Sequence, residues 1–201
     1  RVSARKEACD RVQAETGAHL VHPYDDDRII AGQATAAKEL LEEVGDLDAV
    51  FAPVSGGGLL GGTCLSAKAI RPDVRVFGCE PERADDAYRS LKTGTLQTLE
   101  STDTIADGLR ASLAPRTFSI LRRNVERILL VSEEETISSM RLVWERMKII
   151  IEASSAVAVA PLLRAGAVAS LNLPPRRDGR AAKLGVIFSG GNVDLANLPW
   201  K

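Results

Sequence analysis

The sequence predicts an α/β fold, a mainly parallel twisted sheet with helices on both faces. Three observations carry this. Short apolar runs recur without polar alternation, as expected of strands covered on both sides. Helical patterns separate those runs. Two of the runs end in glycine-rich turns, at the strand ends where an open α/β sheet places its ligands.

The elements follow in order. The chain opens on a charged helical stretch, "RVSARKEACDRVQAETGA", with no strand before it. "AHLVHP" (residues 18–23) reads as a short strand and residues 28–44 as a helix. "DAVFAPV" (48–54) reads as a buried strand, residues 59–70 as a helix, and "VRVFGCE" (74–80) as the next buried strand. Residues 126–131 and 184–188 supply two more, with helices between them. The clearest helix spans about 133–150. Ser132 and Glu135 have capping-box spacing. Ile137, Met140, Val143, Trp144 and Met147 fall on one face, and plain core packing explains that stripe. "NLPPRRDGR" (172–180) is a turn-rich loop. Right-handed crossovers between parallel strands leave few topologies.

The totals exclude several classes. At 201 residues the chain can bury a real core. A net charge of -1 gives no reason to expect nucleic acid or an anionic membrane as partner. No segment has the apolar length of a transmembrane helix, and no signal peptide is expected. Cys9, Cys64 and Cys79 are odd in number and scattered, so each is expected to be a small buried hydrophobe in a reducing cytoplasm.

The chemistry concentrates after the strand at 48–54. "SGGGLLGG" puts five glycines into the seven positions 56–62 at the mouth of a helix. The first N–H groups of a helix lack internal partners, and its dipole is positive there. Strand, glycine loop and helix together make an anion site. Ser55 is expected to add a hydroxyl donor. A rival reading is a dinucleotide fold. Gly56, Gly58 and Gly61 spell G-x-G-x-x-G, and Glu80 lies 19 positions further on, where an acid can hold a ribose.

Other segments add candidates. "GVIFSGGN" (185–192) repeats the design, with Ser189 and then two glycines, and suggests two loops facing one bound molecule; the alternative is a simple left-handed turn. "EPERADD" (80–86) gathers carboxylates. Glu80 and Asp86 could share a hard cation, although a solvated acidic loop is the simpler reading from spacing alone. "TIADGL" (104–109) carries Asp107-Gly108. His19 and His22 have no partners at a telling distance and are read neither as a triad nor as metal ligands.

Taken together, "SGGGLLGG", "EPERADDAYRS", "DTIADGL", "LVWERMKIIIEASSAVAVA" and "FSGGNVDL" occur in the order seen in serine racemases and serine/threonine dehydratases. "VHPYDDDRIIAGQAT" is similar to a further stretch of that family. The chain resembles these tryptophan-synthase-β-type pyridoxal-phosphate enzymes over nearly its whole length. The resemblance implies their fold, incomplete at the N-terminus, with a large-domain core from about residue 46 to 201. Residues 1–45 then close the small-domain or crossover region. It implies that Ser55, Gly56, Gly57, Gly58 and Leu59 wrap the phosphate of pyridoxal 5'-phosphate. Ser189, beside Gly190, would hydrogen-bond the pyridine nitrogen, leaving it largely unprotonated and the ring a weaker electron sink. Glu152 would sit near the ring, and Asp107 and Gly108 would line the substrate side. Glu80, the Ala84 carbonyl and Asp86 would hold Mg²⁺, Mn²⁺ or Ca²⁺, which reverses the reading from spacing alone.

The implied activity is that of an ammonia-lyase acting on a small β-hydroxy amino acid (serine, threonine or 3-hydroxyaspartate), with or without racemase activity, in a cytoplasmic homodimer. The alternatives are a racemase proper, a nicotinamide oxidoreductase and a non-catalytic phosphate-binding remnant. The sequence departs from the family at Ser55, at Ala34, and at Glu152-Ala153-Ser154-Ser155, where Glu-Pro-Ser/Thr-Gly is usual. None of Lys6, Lys38, Lys68, Lys92, Lys148, Lys183 and Lys201 lies in a segment like the family's Schiff-base lysine. The reading is therefore the C-terminal part of a longer enzyme, inactive without its N-terminal part.

Overall fold

The computed structural model describes residues 2–99, 102–176 and 178–200. Four parallel strands form one sheet: β1 (Ala49–Pro53), β2 (Arg75–Pro81), β3 (Arg127–Val131) and β4 (Leu184–Val186), in the order β3-β2-β1-β4. Phe51 pairs with Phe77 on one side and Val186 on the other. Because all four strands run the same way, their carboxyl ends share one edge of the sheet.

Both faces are covered, which explains the unbroken apolar runs. Val50, Ala52, Val76 and Ile128 face one way, toward α3 (Gly58–Ile70) and α5 (Pro115–Asn124). Phe51, Phe77, Cys79 and Val131 face the other way, against Val157, Ala160 and Leu171. Phe51 and Phe77 stack at 4.9 Å across the strand pair. α2 (Asp27–Val44) packs directly on α3. Gly62 permits that approach, since a Cβ there would lie 2.6 Å from the Ala34 nitrogen. α1 (Val2–Thr16) precedes α2, and α4 (Asp86–Thr93) follows β2.

Three expectations are corrected. Residues 18–23 form no strand. Among the described residues no ladder partner lies beside them, and a strand without one leaves its N–H and C=O groups unpaired. The chain turns instead at His22, whose Nδ1 accepts from Asp25 N at 2.8 Å, and Val21 is left 58% exposed. The helix expected over 133–150 is α6 (Glu133–Met147), which stops where Lys148 turns left-handed at φ 60. Trp144 Nε1 then donates to Ile151 O, folding the following segment back, and Met147 is exposed rather than in the core. Ser132 and Glu135 do form the capping box. Cys64 and Cys79 are buried as expected, but Cys9 is only half-buried.

Candidate active site

The glycine loop leaves β1 and enters α3 at the carboxyl edge. Gly57 sits at the helix N-cap with φ 89, which L side chains rarely adopt. Its carbonyl accepts from Gly61 N at 2.8 Å, the first turn of the helix. The N–H groups of Gly58, Leu59 and Leu60 therefore have no acceptor within the helix. A Cβ on Gly56 would lie 2.4 Å from the Tyr24 ring, and one on Gly57 2.7 Å from Thr117 Cβ. Thr117, from α5, donates to Gly56 O at 2.8 Å and accepts from Ala114 N at 3.0 Å. The cradle is thus clamped from two sides, by Tyr24 and Thr117, and both glycines are demanded by space. A tight turn without further purpose does not need three consecutive glycines.

The Ser55 side chain is engaged within the protein. The Ser55 hydroxyl donates to Ala111 O at 3.1 Å and accepts from Ala111 N at 2.9 Å. It ties the loop to residue 111.

The second glycine turn follows β4, the strand beside β1. Ile187 N donates to Phe51 O at 2.9 Å, so the two turns leave the sheet side by side. Neither Gly190 nor Gly191 has positive φ, which removes the simple left-handed turn as an explanation. They are small because the segment 150–152 lies against them. A Cβ on Gly191 would come 2.5 Å from Ile150 O, and one on Gly190 3.2 Å from the Glu152 carboxyl. Glu152 Oε2 accepts from Asn192 N at 3.0 Å. Ser155 Oγ accepts from Gly190 N at 2.8 Å and lies 3.1 Å from Ser189 Oγ.

Asp107 and Gly108, expected on the substrate side, arrive from another direction. Asp107 and Gly108 begin a short 3₁₀ turn (Asp107–Leu109), and Gly108 N donates to Ser154 Oγ at 3.0 Å. Glu133, at the start of α6, accepts from Ile105 N at 2.8 Å and holds the same segment. Asp107, Glu152, Asn192 and Met140 line one cavity of ≈ 290 Å³. A larger, apolar cavity of ≈ 460 Å³ between α1 and residues 18–21 shares no lining residue with it. Asp107, Gly108, Glu152, Ser189 and Gly190 are therefore brought together, beside the glycine cradle. Tyr24, Thr117, Ser154 and Ser155 support them. The sequence reading assigned none of these four a role. For Thr117 nothing in the pattern signals one, whereas Tyr24 and Ser155 stand inside stretches already singled out.

Two acids of the loop after β2 are withdrawn from solvent, while Glu82 is exposed. Glu80 and Asp86 are 0% and 1% exposed. The Glu80 carboxylate accepts from Ala87 N at 2.9 Å and Tyr88 N at 2.8 Å, capping α4. Turned inward in this way, it cannot hold a ribose, so the dinucleotide reading loses its acidic residue. Burial pushes the Glu80 carboxyl well above the usual range, against the pull of those two N–H groups. Burial also raises Asp86, to about 6, although Leu113 N donates to its Oδ2 at 2.9 Å. Asp86 Oδ1 is buried with no hydrogen-bond partner, and Ala84 is buried beside the two acids. An orphaned carboxylate oxygen next to a second buried carboxylate suits a hard cation with oxygen ligands.

A glycine cradle for an anion, with a serine hydroxyl beside it at the carboxyl edge of a parallel sheet, suits a cofactor that carries both a phosphate and a ring nitrogen. The family model described as pyridoxal-phosphate dependent enzyme matches residues 2–176, and the chain belongs to that family. It is 46% identical over 198 residues to a β-hydroxyaspartate dehydratase of Paracoccus denitrificans, covering 98% of this chain and 60% of that protein. It is 44% identical over 199 residues to a serine racemase of Dictyostelium discoideum, with 98% and 59% covered. The solved structure of maize serine racemase matches with a TM-score of 0.89 at 40% identity, over 97% of this chain and 59% of that one. The chain thus spans about three fifths of these relatives. Family membership overturns the nicotinamide alternative.

Proposed function

We propose that the whole protein is a pyridoxal-phosphate dependent ammonia-lyase that dehydrates a small β-hydroxy amino acid to a 2-oxo acid and ammonia. The observation that carries this reading is the convergence of two glycine turns and the Asp107-Gly108 segment on one edge of the sheet. The 46% identity to a β-hydroxyaspartate dehydratase supports the reaction class. Racemisation is the second reading, favoured by the 44% identity to a serine racemase.

When bound, the cofactor supplies an electron sink for the carbanion formed at the substrate α-carbon. This chain's residues do the holding. The N–H groups of Gly56 to Leu59 bind the phosphate at the positive end of α3. Ser189 directs a neutral hydroxyl at the ring nitrogen. Glu152 holds the Gly190–Asn192 turn in place and, with Asp107 and Gly108, walls the substrate side. Glu80, Ala84 O and Asp86 hold a divalent cation that steadies the loop after β2, and the partnerless Asp86 Oδ1 supports this. Cys9, Cys64 and Cys79 are all free.

Lys68 stands at the far end of α3 from the cradle, donating to Pro72 O and Val74 O. The amine that the chemistry needs is therefore sought outside the 201 residues. The test is an assay of 2-oxo acid from serine, threonine and 3-hydroxyaspartate. The full-length protein with pyridoxal phosphate is expected to be active, and the 201-residue chain inactive. A full-length protein that binds the cofactor yet eliminates from none of the three would overturn the lyase reading.

A further inference from the structure

We propose that Ser155 is a positioning residue for the cofactor ring: its hydroxyl donates to Ser189 Oγ, so that Ser189 turns its own proton outward to the ring nitrogen. This deepens the proposed function and rests on the reading of Ser189 given there. Ser155 is completely buried and Ser189 is exposed, so one hydroxyl is fixed by the protein and the other faces the site.

The donor arithmetic carries the argument. A serine hydroxyl has one proton and two lone pairs. Ser155 Oγ accepts from Gly190 N at 2.8 Å, which occupies one lone pair. Its single proton has two acceptors in reach, Gly190 O at 2.8 Å and Ser189 Oγ at 3.1 Å. With the Ser155 proton on Gly190 O, the remaining Ser155 lone pair attracts the Ser189 proton inward, and Ser189 meets the ring only as an acceptor. A neutral pyridine nitrogen offers no donor, so that arrangement leaves two acceptors facing each other. With the Ser155 proton on Ser189 Oγ, a chain forms that runs from Gly190 N–H through Ser155 and Ser189 to the ring. Each link polarises the next and strengthens the last hydrogen bond. Charged groups on this side are Glu152, whose carboxyl abuts Gly190, and Asp107 and Asp194, which line the same cavity as Glu152. None of them changes in the variants below.

The experiment is a double-mutant cycle in the full-length enzyme, read as the dissociation constant of pyridoxal phosphate and as the ¹⁵N resonance of the labelled ring nitrogen. Ser155→Ala is expected to weaken cofactor binding about fivefold in the wild-type background, the size of one net hydrogen bond. The same change is expected to have no effect in a Ser189→Ala background. The ¹⁵N resonance should move toward that of a pyridine without a hydrogen-bond donor in both single variants. Ser155→Cys keeps the branching with a somewhat larger atom and offers only a weak donor, so it should behave like Ser155→Ala. An equal loss in both backgrounds would mean that Ser155 only supports the Gly190 turn, and would overturn the proposal. A Ser155→Cys enzyme with wild-type affinity and resonance would overturn it too. If Ser189→Ala itself leaves affinity and resonance unchanged, the reading of Ser189 falls and this proposal falls with it.

Discussion

Tyr24 and Gly56 stand so close that a Cβ on Gly56 would lie 2.4 Å from the Tyr24 ring. The ring is itself held, edge to face, by His22 at 4.7 Å. The glycine cradle therefore takes its shape partly from a residue 32 positions earlier in the chain. Gly56→Ala is expected to cost about 1–3 kcal/mol, the usual range for overpacking, and to weaken cofactor binding. The cost should shrink in a Tyr24→Ala background, where the space is empty. Urea unfolding of the four proteins checks this. An equal penalty in both backgrounds would show that Tyr24 is not what makes the position a glycine.

Thr117 clamps the other side of the cradle. Its hydroxyl donates to Gly56 O and accepts from Ala114 N, both buried. Thr117→Val keeps the shape and removes both bonds. Leaving buried polar groups unpaired costs about 1–3 kcal/mol. Thr117→Ser keeps the hydroxyl and should lose less. The measurement is the unfolding free energy of the two variants, and the idea fails if valine is tolerated as well as serine.

Asp86 predicts a response to divalent cations. Its Oδ1 is buried without a partner, a costly state that a cation would relieve. In the full-length enzyme, Mg²⁺ or Mn²⁺ at a hundredfold excess over Kd should stabilise by about 2.7 kcal/mol, or roughly 4 °C in Tm for a chain as long as the relatives. Asp86→Asn should melt at the same temperature with or without cation. A wild-type Tm indifferent to chelation and re-addition would remove the cation from the proposed function.

The strands and the cradle were legible because local pattern decides them. β1, β2 and β3 are apolar on both faces, and the first glycine turn follows β1 with the helix dipole behind it. The residues that tune the site were not legible. Ser55 reads as a donor to a ligand, yet Ala111, 56 positions away, engages it. Thr117 clamps Gly56 across 61 positions, and no local signal marks such a pair. Residues 18–23 carry strand pattern without a ladder partner, and pattern cannot supply one. The acidic loop was misjudged on spacing because burial, which turns Glu80 inward to cap α4, follows from β2 lying between β1 and β3.

Glu135 links the α6 cap to a distant loop. Its backbone N–H reaches Ser132 Oγ at 3.2 Å, and its carboxylate accepts from Ser132 N at 3.0 Å. Arg164 grips the same carboxylate with Nε at 2.6 Å and Nη2 at 2.7 Å. Those Arg164 hydrogen bonds, ahead of the Ser132 contacts, hold the carboxyl below its ordinary value of 4.5. A group with a lowered folded pKa contributes fully above its unfolded value and loses that contribution as pH falls through the folded one. The pair is about a third exposed, so screening keeps its share modest. Glu135→Gln keeps an acceptor for Ser132 N, so it should cost at most about 1 kcal/mol at neutral pH, from the pair with Arg164 alone. Below pH 4.5 the wild type progressively gives up the same interaction, and the difference between the two proteins should close. Urea unfolding from pH 7 down to about 3, at the edge of the range where carboxylates titrate, follows it. A penalty that stays constant over that range would mean that the packing of the Glu135 side chain, and not its charge, joins α6 to Arg164.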